Sequence, residues 1–439
     1  MPVHYAGSSS AEIAASVETA VRAGTLPAGA GLPTVRALAT DLGVSPATVA
    51  NAYRSLRQRG LIETAGRNGT RVRFRPPVAP RASHRLPVPA GVRDLASGAP
   101  DLRLLPKLDA ALRAIDPVPC GYETAGPLPD LVDLARDRLR ADGVDAPAIT
   151  IASGALDATE RVLVAHLAPG DRVAVEDPGW ANLLDLVAAA GLYPVPVPVD
   201  DEGPTPAGLG AALDAGVRAF VLTSRAQNPT GAAISPARAA ALRALLAEHP
   251  DLLVVEDDHA AELSSEPLAP VAGTTRRWAF VRSVSKPYGP DLRVAVLAGD
   301  EATVARVEGR LRLGAGWVST ILQRLVVALW RDPSTADQVR TARDSYRRRR
   351  EALLAALADR GVAVSGRTGI NLWIPVPDEV AAVARLRDAG WAVAPGTLYR
   401  IEAPPAIRVT VSQMAETDLV PFADAIAAVL GPAHPRYSA

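Results

Sequence analysis

Three short apolar runs in this chain each end in a polar cluster. Val173-Ala174-Val175 runs into Glu176-Asp177-Pro178-Gly179-Trp180, Ala219–Thr223 is followed by Ala226-Gln227-Asn228-Pro229-Thr230-Gly231, and Leu252–Val255 runs into Glu256-Asp257-Asp258-His259. Runs so short and β-branched read as buried parallel strands. In an open α/β sheet, ligands sit beyond the carboxyl ends of such strands, where Asp257 falls. Asn228 lies in a turn after the second run, and the turn after the first can present the Trp180 indole to a planar ring. Taken singly, each has a plainer reading: a solvated acidic loop for Asp257, an ordinary turn for Asn228, a core residue for Trp180.

One lysine stands against the composition. The chain has 47 lysines and arginines, of which only Lys107 and Lys286 are lysine. Arginine replaces lysine as a surface cation but stays protonated and cannot act as an amine nucleophile. A lysine kept against this bias suits a Schiff base to an aldehyde, although a chance surface lysine fits the count as well. Its neighbours shift the balance. Ser283 and Ser285 precede Lys286 and Arg293 follows, and hydroxyls with a guanidinium suit a phosphate dianion. An aldehyde carrying a phosphate suggests pyridoxal 5′-phosphate (PLP), which also needs a carboxylate for its pyridine nitrogen and an aromatic face. Ser153-Gly154-Ala155, between Ile149-Thr150-Ile151 and a helical stretch from Leu156 to Leu167, offers backbone N–H groups to a phosphate. Arg408, in Ile407-Arg408-Val409-Thr410, is an arginine on a strand, suited to a substrate carboxylate.

In this order the motifs resemble those of fold-type I, class I aminotransferases, from about residue 94 to the C-terminus. The resemblance implies an α/β PLP-dependent transferase fold, with a large domain of mainly parallel sheet between helices and a small α+β C-terminal domain. It also implies roles. Lys286 would hold PLP as a Schiff base, Asp257 would pair with the pyridinium nitrogen, Trp180 would stack on the ring and Asn228 would bond its phenolic oxygen. Ser153, Gly154, Ala155, Ser283, Ser285 and Arg293 would hold the phosphate, and Arg408 an amino-acid carboxylate. Tyr122, in Gly121-Tyr122-Glu123-Thr124-Ala125-Gly126, matches the family's tyrosine that reaches the phosphate across a dimer interface. The chain departs from the family twice. His259 replaces a tyrosine; it still offers the phenolic oxygen a hydrogen bond but would tune the cofactor differently. Leu156 and Asp157 stand where relatives often carry glutamines, and a carboxylate repels phosphate, so Asp157 is expected to face away. Both departures bear on transamination more than on cofactor binding.

The first 75 residues follow other rules. They carry nine arginines, no lysine and four acidic residues, although the whole chain is formally neutral. A local basic excess suits a polyanion. Ile13, Val17, Ala20 and Val21 recur at helical spacing. Thr34 can cap a helix ending at Leu42 with Gly43 as its stop, and Ser45-Pro46 starts a second through about Arg59. Two helices so closely joined read as helix-turn-helix, and Leu61–Thr64, the Gly66–Gly69 turn and Arg71–Phe74 as a wing. The segment resembles the winged helix-turn-helix of the GntR family. By that resemblance Arg36 and Arg67 contact phosphates or the groove, and Ser45, Thr48, Asn51 and Arg54 lie at the DNA face. Val49, Tyr53 and Leu56 are the expected core of the same helix.

Arg75 to Ala90 holds five prolines and no apolar periodicity. The expected division is therefore a DNA-binding domain at 1–75, a linker at 76–93 and an effector and dimerisation domain at 94–439. That order resembles the MocR subgroup of GntR regulators. It implies a homodimer that binds operator DNA and senses PLP, or an amino acid or amine, through Lys286, with at most residual turnover. An active aminotransferase with an appended head is the alternative. Cys120, the single cysteine, excludes an intrachain disulfide, and no zinc-ligand spacing is present. No apolar stretch reaches membrane-spanning length and the N-terminus lacks a signal-peptide profile, so a cytoplasmic protein without membrane or metal partners is expected. Arg347 to Arg350 should spread around a helix as a solvated face.

Overall fold

The computed structural model describes residues 5–22, 25–27, 29–58, 61–64, 69–73, 81, 87–116 and 118–431. The head comprises α1 (Ser10–Arg22), α2 (Val35–Leu42), α3 (Pro46–Gln58), β1 (Ile62–Thr64) and β2 (Thr70–Val72). Thr34 Oγ1 accepts from Ala37 N at 3.2 Å to start α2, and Gly43 at φ 64° turns its N–H back onto the last carbonyls. Ser45 Oγ accepts from Thr48 N at 3.1 Å and starts α3. Ile13, Val17, Leu38, Val49, Tyr53 and Leu56 are all 0% exposed and pack with Ile62 and Val72 of the antiparallel hairpin. The three helices and the hairpin thus share one small core.

The body opens with β3 (Arg93–Asp94), α4 (Asp109–Ala114), α5 (Pro129–Ala141) and β4 (Ala148–Ala152). Helix and strand then alternate: α6 (Ala155–His166), β5 (Arg172–Asp177), α7 (Ala181–Ala189), β6 (Tyr193–Asp200), β7 (Gly203–Pro204), α8 (Pro206–Asp214) and β8 (Ala219–Thr223). Next come α9 (Pro236–Ala247), β9 (Leu253–Asp258), β10 (Arg277–Ser283), α10 (Ser285–Tyr288), β11 (Ala295–Gly299), α11 (Glu301–Leu313) and α12 (Thr320–Arg331). The order in the large sheet is β4-β11-β10-β9-β8-β5-β6-β7. The five strands β10, β9, β8, β5 and β6 run parallel, and β11 and β7 are antiparallel to their neighbours. Every residue of β8 and β9 is buried, because alternate side chains enter separate apolar clusters: Phe220, Leu222 and Val254 on one face, Val221, Val255 and Val281 on the other. This double covering is why the runs are continuous rather than alternating. Thr223 lies opposite Asp257, and Asp257 opposite Val281, so the polar strand ends line one edge.

The small lobe consists of α13 (Pro333–Ala358), β12 (Asn371–Pro375), α14 (Glu379–Asp388), β13 (Trp391–Ala392), β14 (Ala394–Pro395), β15 (Ala406–Thr410) and α15 (Leu419–Leu430). Its sheet has the order β12-β15-β14, and β13 pairs in parallel with β3. Leu353, Leu372, Ile374, Ile407, Val409 and Phe422 form its core. Of Arg347 to Arg350, Arg348 is exposed and Arg347 half-buried as expected of a solvated face, but the last two depart from it. Arg350 is 3% exposed and donates Nη1 to Gly369 O at 3.0 Å, and Arg349 turns in toward Asp101 and the Ser412 carbonyl. A 26-residue helix lying across both lobes has inward faces that a local charge count does not reveal. No described helix is long and apolar enough to cross a membrane.

Candidate functional site

The carboxyl ends of the parallel strands carry a dense acidic group, and each member is held differently. Asp258 is wholly buried; burial pushes its carboxyl up, but Arg282 and Arg225 outweigh that and hold it low. Arg225 grips it through Nε at 2.9 Å and Nη2 at 3.1 Å. Burial pushes Glu176 up to about 7, against hydrogen bonds from Thr223 and Gln227. Gln227 in turn bonds Pro178 O at 2.8 Å and receives Thr230 N at 3.0 Å, which shapes the turn that carries Asn228. Asp257 differs from these. Its Oδ2 lies 3.0 Å from His259 Nδ1, while its Oδ1 is buried without a hydrogen-bond partner. A buried carboxylate oxygen left so is costly unless a donor meets it, and a protonated ring nitrogen is such a donor. Trp180, the N-cap residue of α7, stacks with His259, the neighbour of Asp257, at 6.4 Å and 29° between planes.

Ser283 ends β10, and α10 follows at once with Ser285 and Lys286. Ser283 Oγ accepts from Ser285 N at 3.2 Å, and Ser285 Oγ is buried without a hydrogen-bond partner. Arg293, at φ 46°, reaches across to donate Nη2 to Ser153 O at 2.8 Å. Gly154 adopts φ 100°, and a Cβ there would lie 2.4 Å from Arg293 Nη2. Only glycine lets the guanidinium approach the start of α6, whose first-turn N–H groups have no intrahelical acceptor. Asp157 does not simply face away. It accepts from Ser153 N at 3.0 Å and pairs with Arg161 at 2.9 Å, so the Ser153 N–H assigned to a phosphate cradle already has an acceptor. The donor groups at this end are therefore the α6 N-terminus from Ala155, the two serine hydroxyls and Arg293.

The small lobe supplies Arg408 from the centre of β15, 1% exposed. Its guanidinium lies over Tyr399 at 4.8 Å, donates to Asn228 Oδ1 at 3.1 Å and to Ala96 O at 2.5 Å. Lys286 Nζ donates to Gly98 O at 2.5 Å. A Cβ on Gly98 would meet the Arg408 nitrogens at 2.9 Å. The Ala96–Gly98 segment and Tyr399 were missed from sequence; the sole hint was Gly98 in a stretch with no strand or helix pattern. Tyr122 stands apart from these groups. It is 90% exposed and meets Trp317 edge-on at 5.7 Å, while Gln323 ties its loop down through Gly126 O and Leu128 N.

On the head, Arg36, Ser45, Asn51 and Arg54 are exposed and Thr48 is half-buried beside Ser45. Arg54 Nη1 donates to Asn51 Oδ1 at 2.8 Å, which holds the guanidinium along the outer face of α3. Arg67 lies outside the described residues.

Two family models match separate parts of the chain. The model of the aminotransferase class I and II family matches residues 130–426, and that of the bacterial regulatory proteins of the gntR family matches 9–72. The vitamin B6 salvage pathway transcriptional repressor PtsJ of Salmonella typhimurium is 42% identical over 416 residues, covering 94% of this chain and 96% of its own. The pyridoxine biosynthesis transcriptional regulator PdxR of Corynebacterium glutamicum is 28% identical, covering 79% and 78% respectively. Among solved structures, a mutant aspartate aminotransferase of Thermus thermophilus aligns with a TM-score of 0.68 and 25% identity, over 81% of this chain and 100% of that one. A multiple-substrate aminotransferase of Thermococcus profundus aligns with a TM-score of 0.71 at 21% identity, over 78% and 92%, a likeness of fold.

Proposed function

The chain belongs to the MocR subgroup of GntR-family regulators, its body a member of the aminotransferase class I and II family, and on that premise we propose that it is a transcription regulator whose DNA affinity is set by PLP held at Lys286. When bound, PLP supplies an aldehyde that reacts with amines and a ring that withdraws electrons. The chain's own residues do the rest. Lys286 would hold the aldehyde carbon, Asp257 Oδ1 would receive the ring N–H, Trp180 would stack on the ring, and Asn228 and His259 would offer hydrogen bonds to its phenolic oxygen. Ser283, Ser285, Arg293 and the start of α6 would hold the phosphate, and Arg408 would take an amino-acid carboxylate. Tyr122, exposed on its loop, completes the phosphate site of a second copy in a homodimer. Paired heads would then read two half-sites, through Thr48, Asn51 and Arg54, with Arg36 and Arg67 on phosphates. PLP itself, or an amino acid or amine that displaces Lys286, is the signal.

The observation that carries this reading is the pair of buried, unpartnered oxygens, Asp257 Oδ1 and Ser285 Oγ, around a lysine in a chain that also bears a winged head whose α2 is capped at both ends. Fluorescence anisotropy with the DNA upstream of the protein's own gene tests it, without PLP, with PLP, and with PLP plus a panel of amino acids, on wild type and Lys286→Ala. PLP or one amine should shift affinity in the wild type, and the amine-dependent shift should vanish in Lys286→Ala. Equal binding throughout would refute regulation through this site.

A further inference from the structure

The chain that joins head to body is fastened at two places on different lobes, and its far end touches the site. Residues 87–95 lie on the small lobe. Arg387 Nη2 donates to Pro87 O at 3.5 Å, Arg93 N to Gly390 O at 2.9 Å and Leu95 N to Ala392 O at 2.8 Å. Arg93 also pairs with Asp418 at 3.0 Å and lies over Trp391 at 4.7 Å. Immediately downstream, the carbonyls of Ala96 and Gly98 accept from Arg408 and Lys286. A carboxylate at Arg408, or consumption of the Lys286 amine, competes for those donors, so the 96–98 segment feels both events.

Arg81 is fastened elsewhere. Its backbone N–H donates to Asp185 Oδ2 at 2.6 Å, its Nε to Asp185 Oδ1 at 3.1 Å, and its Nη1 to Arg400 O at 3.4 Å. Asp185 sits on α7, the helix that begins after Trp180. Arg400 lies in the small-lobe loop between β14 and β15, docked on the large lobe where Asp177 receives the N–H groups of Ile401, Glu402 and Ala403 and Gly179 N bonds Tyr399 O. Arg400 is also held by Glu379 of the small lobe at 2.7 Å. Arg81 therefore bonds a helix of the large lobe and a loop of the small lobe at once, and its seat depends on how the two meet.

We propose that Arg81 is a releasable anchor that converts ligand binding at the lobe seam into a change in how far the covalent chain lets the head stand from the body. With Arg81 seated on Asp185, the covalent path from Arg73 to the body can span at most about 28 Å; once released, the path to Pro87 can span about 50 Å. Tether length governs the local concentration of a head at its half-site and the separations a pair of heads can reach. The inference rests on the PLP-regulated reading above, and it names the residues that carry the signal out of the site.

The test uses full-length Arg81→Ala, Asp185→Asn and the double variant, with PLP as the probe and the same upstream DNA. Each variant should keep the PLP absorption band and wild-type PLP affinity within about twofold, while the PLP-dependent change in DNA affinity falls to within about twofold of unity. The double variant should behave like either single one, because both remove the same contact. Wild type that responds to PLP alongside an Arg81→Ala that responds equally overturns the anchor and spares the regulatory reading. Additive losses in the double variant also overturn it. Wild type that ignores PLP overturns both.

Discussion

Replacing Gly154 with alanine separates the phosphate from the rest of the cofactor. At φ 100°, ψ 166° this residue occupies a region essentially reserved for glycine, and a side chain there costs about 1–3 kcal/mol in backbone strain. The added Cβ would fall 2.4 Å from Arg293 Nη2 and 2.9 Å from Cζ, so the guanidinium must leave the start of α6. A charge-assisted hydrogen bond is worth about 1.5–3 kcal/mol, so moving Arg293 should weaken PLP about tenfold to a hundredfold. Pyridoxal, which lacks the phosphate, should lose less than about threefold, because Lys286 and Asp257 stay in place. Both affinities can be read from the visible absorption of the lysine-bound cofactor during titration. Equal weakening of PLP and pyridoxal, or none, would refute the placement of the phosphate between Arg293 and α6.

Three further outcomes follow from particular contacts. Asp257→Asn removes the carboxylate whose Oδ1 lacks a protein partner, and should weaken PLP by about 2–3 kcal/mol with unfolding unchanged within error; undiminished affinity by the same titration would exclude it as the ring-nitrogen partner. Glu176 is raised from 4.5 to about 7, so the folded state binds its proton more tightly; its contribution is full below about pH 4.5 and is lost as pH rises through 7, up to about 3 kcal/mol. Denaturant melts of wild type and Glu176→Gln between pH 5 and 8 should show the steeper loss in the wild type, because buried Glu256, also pushed up to about 7, contributes to both; a parallel pair of curves would contradict it. Thr34→Ala deletes the bond to Ala37 N and should destabilise the head by about 1 kcal/mol, lowering its melting step in calorimetry while the body's step stays put; an unshifted step would mean the cap contributes nothing.

Local chemistry made some of this legible in the sequence. Thr34, Gly43 and Ser45-Pro46 mark helix ends because caps act within four residues, and the core positions of α3 follow from its period. Asp257 stood out because it closes a strand run, where a parallel sheet holds ligands, and Lys286 because it is one of two lysines among 47 basic residues. What stayed hidden depends on contacts between residues distant in the chain. Arg350 looks like its three neighbours until α13 is laid against Gly369. Asp157 was expected to turn away from a phosphate, yet it caps Ser153 N because Arg161 neutralises it one turn on. The composition of the proline-rich stretch gave a linker with nothing to bury; it does not show that Arg81 meets Asp185, nor that the residues after it run to Arg408 and Lys286.

Binding free energies that are coupled must be coupled in both directions. The affinity of PLP for the full-length protein, titrated with and without saturating operator DNA, therefore addresses regulation through Lys286 without any variant. The account predicts that DNA changes the PLP dissociation constant by the same factor, in the same sense, as PLP changes the DNA dissociation constant. An identical PLP dissociation constant in both titrations would contradict it, and would leave the cofactor a structural or catalytic part of the body with no hold on the head.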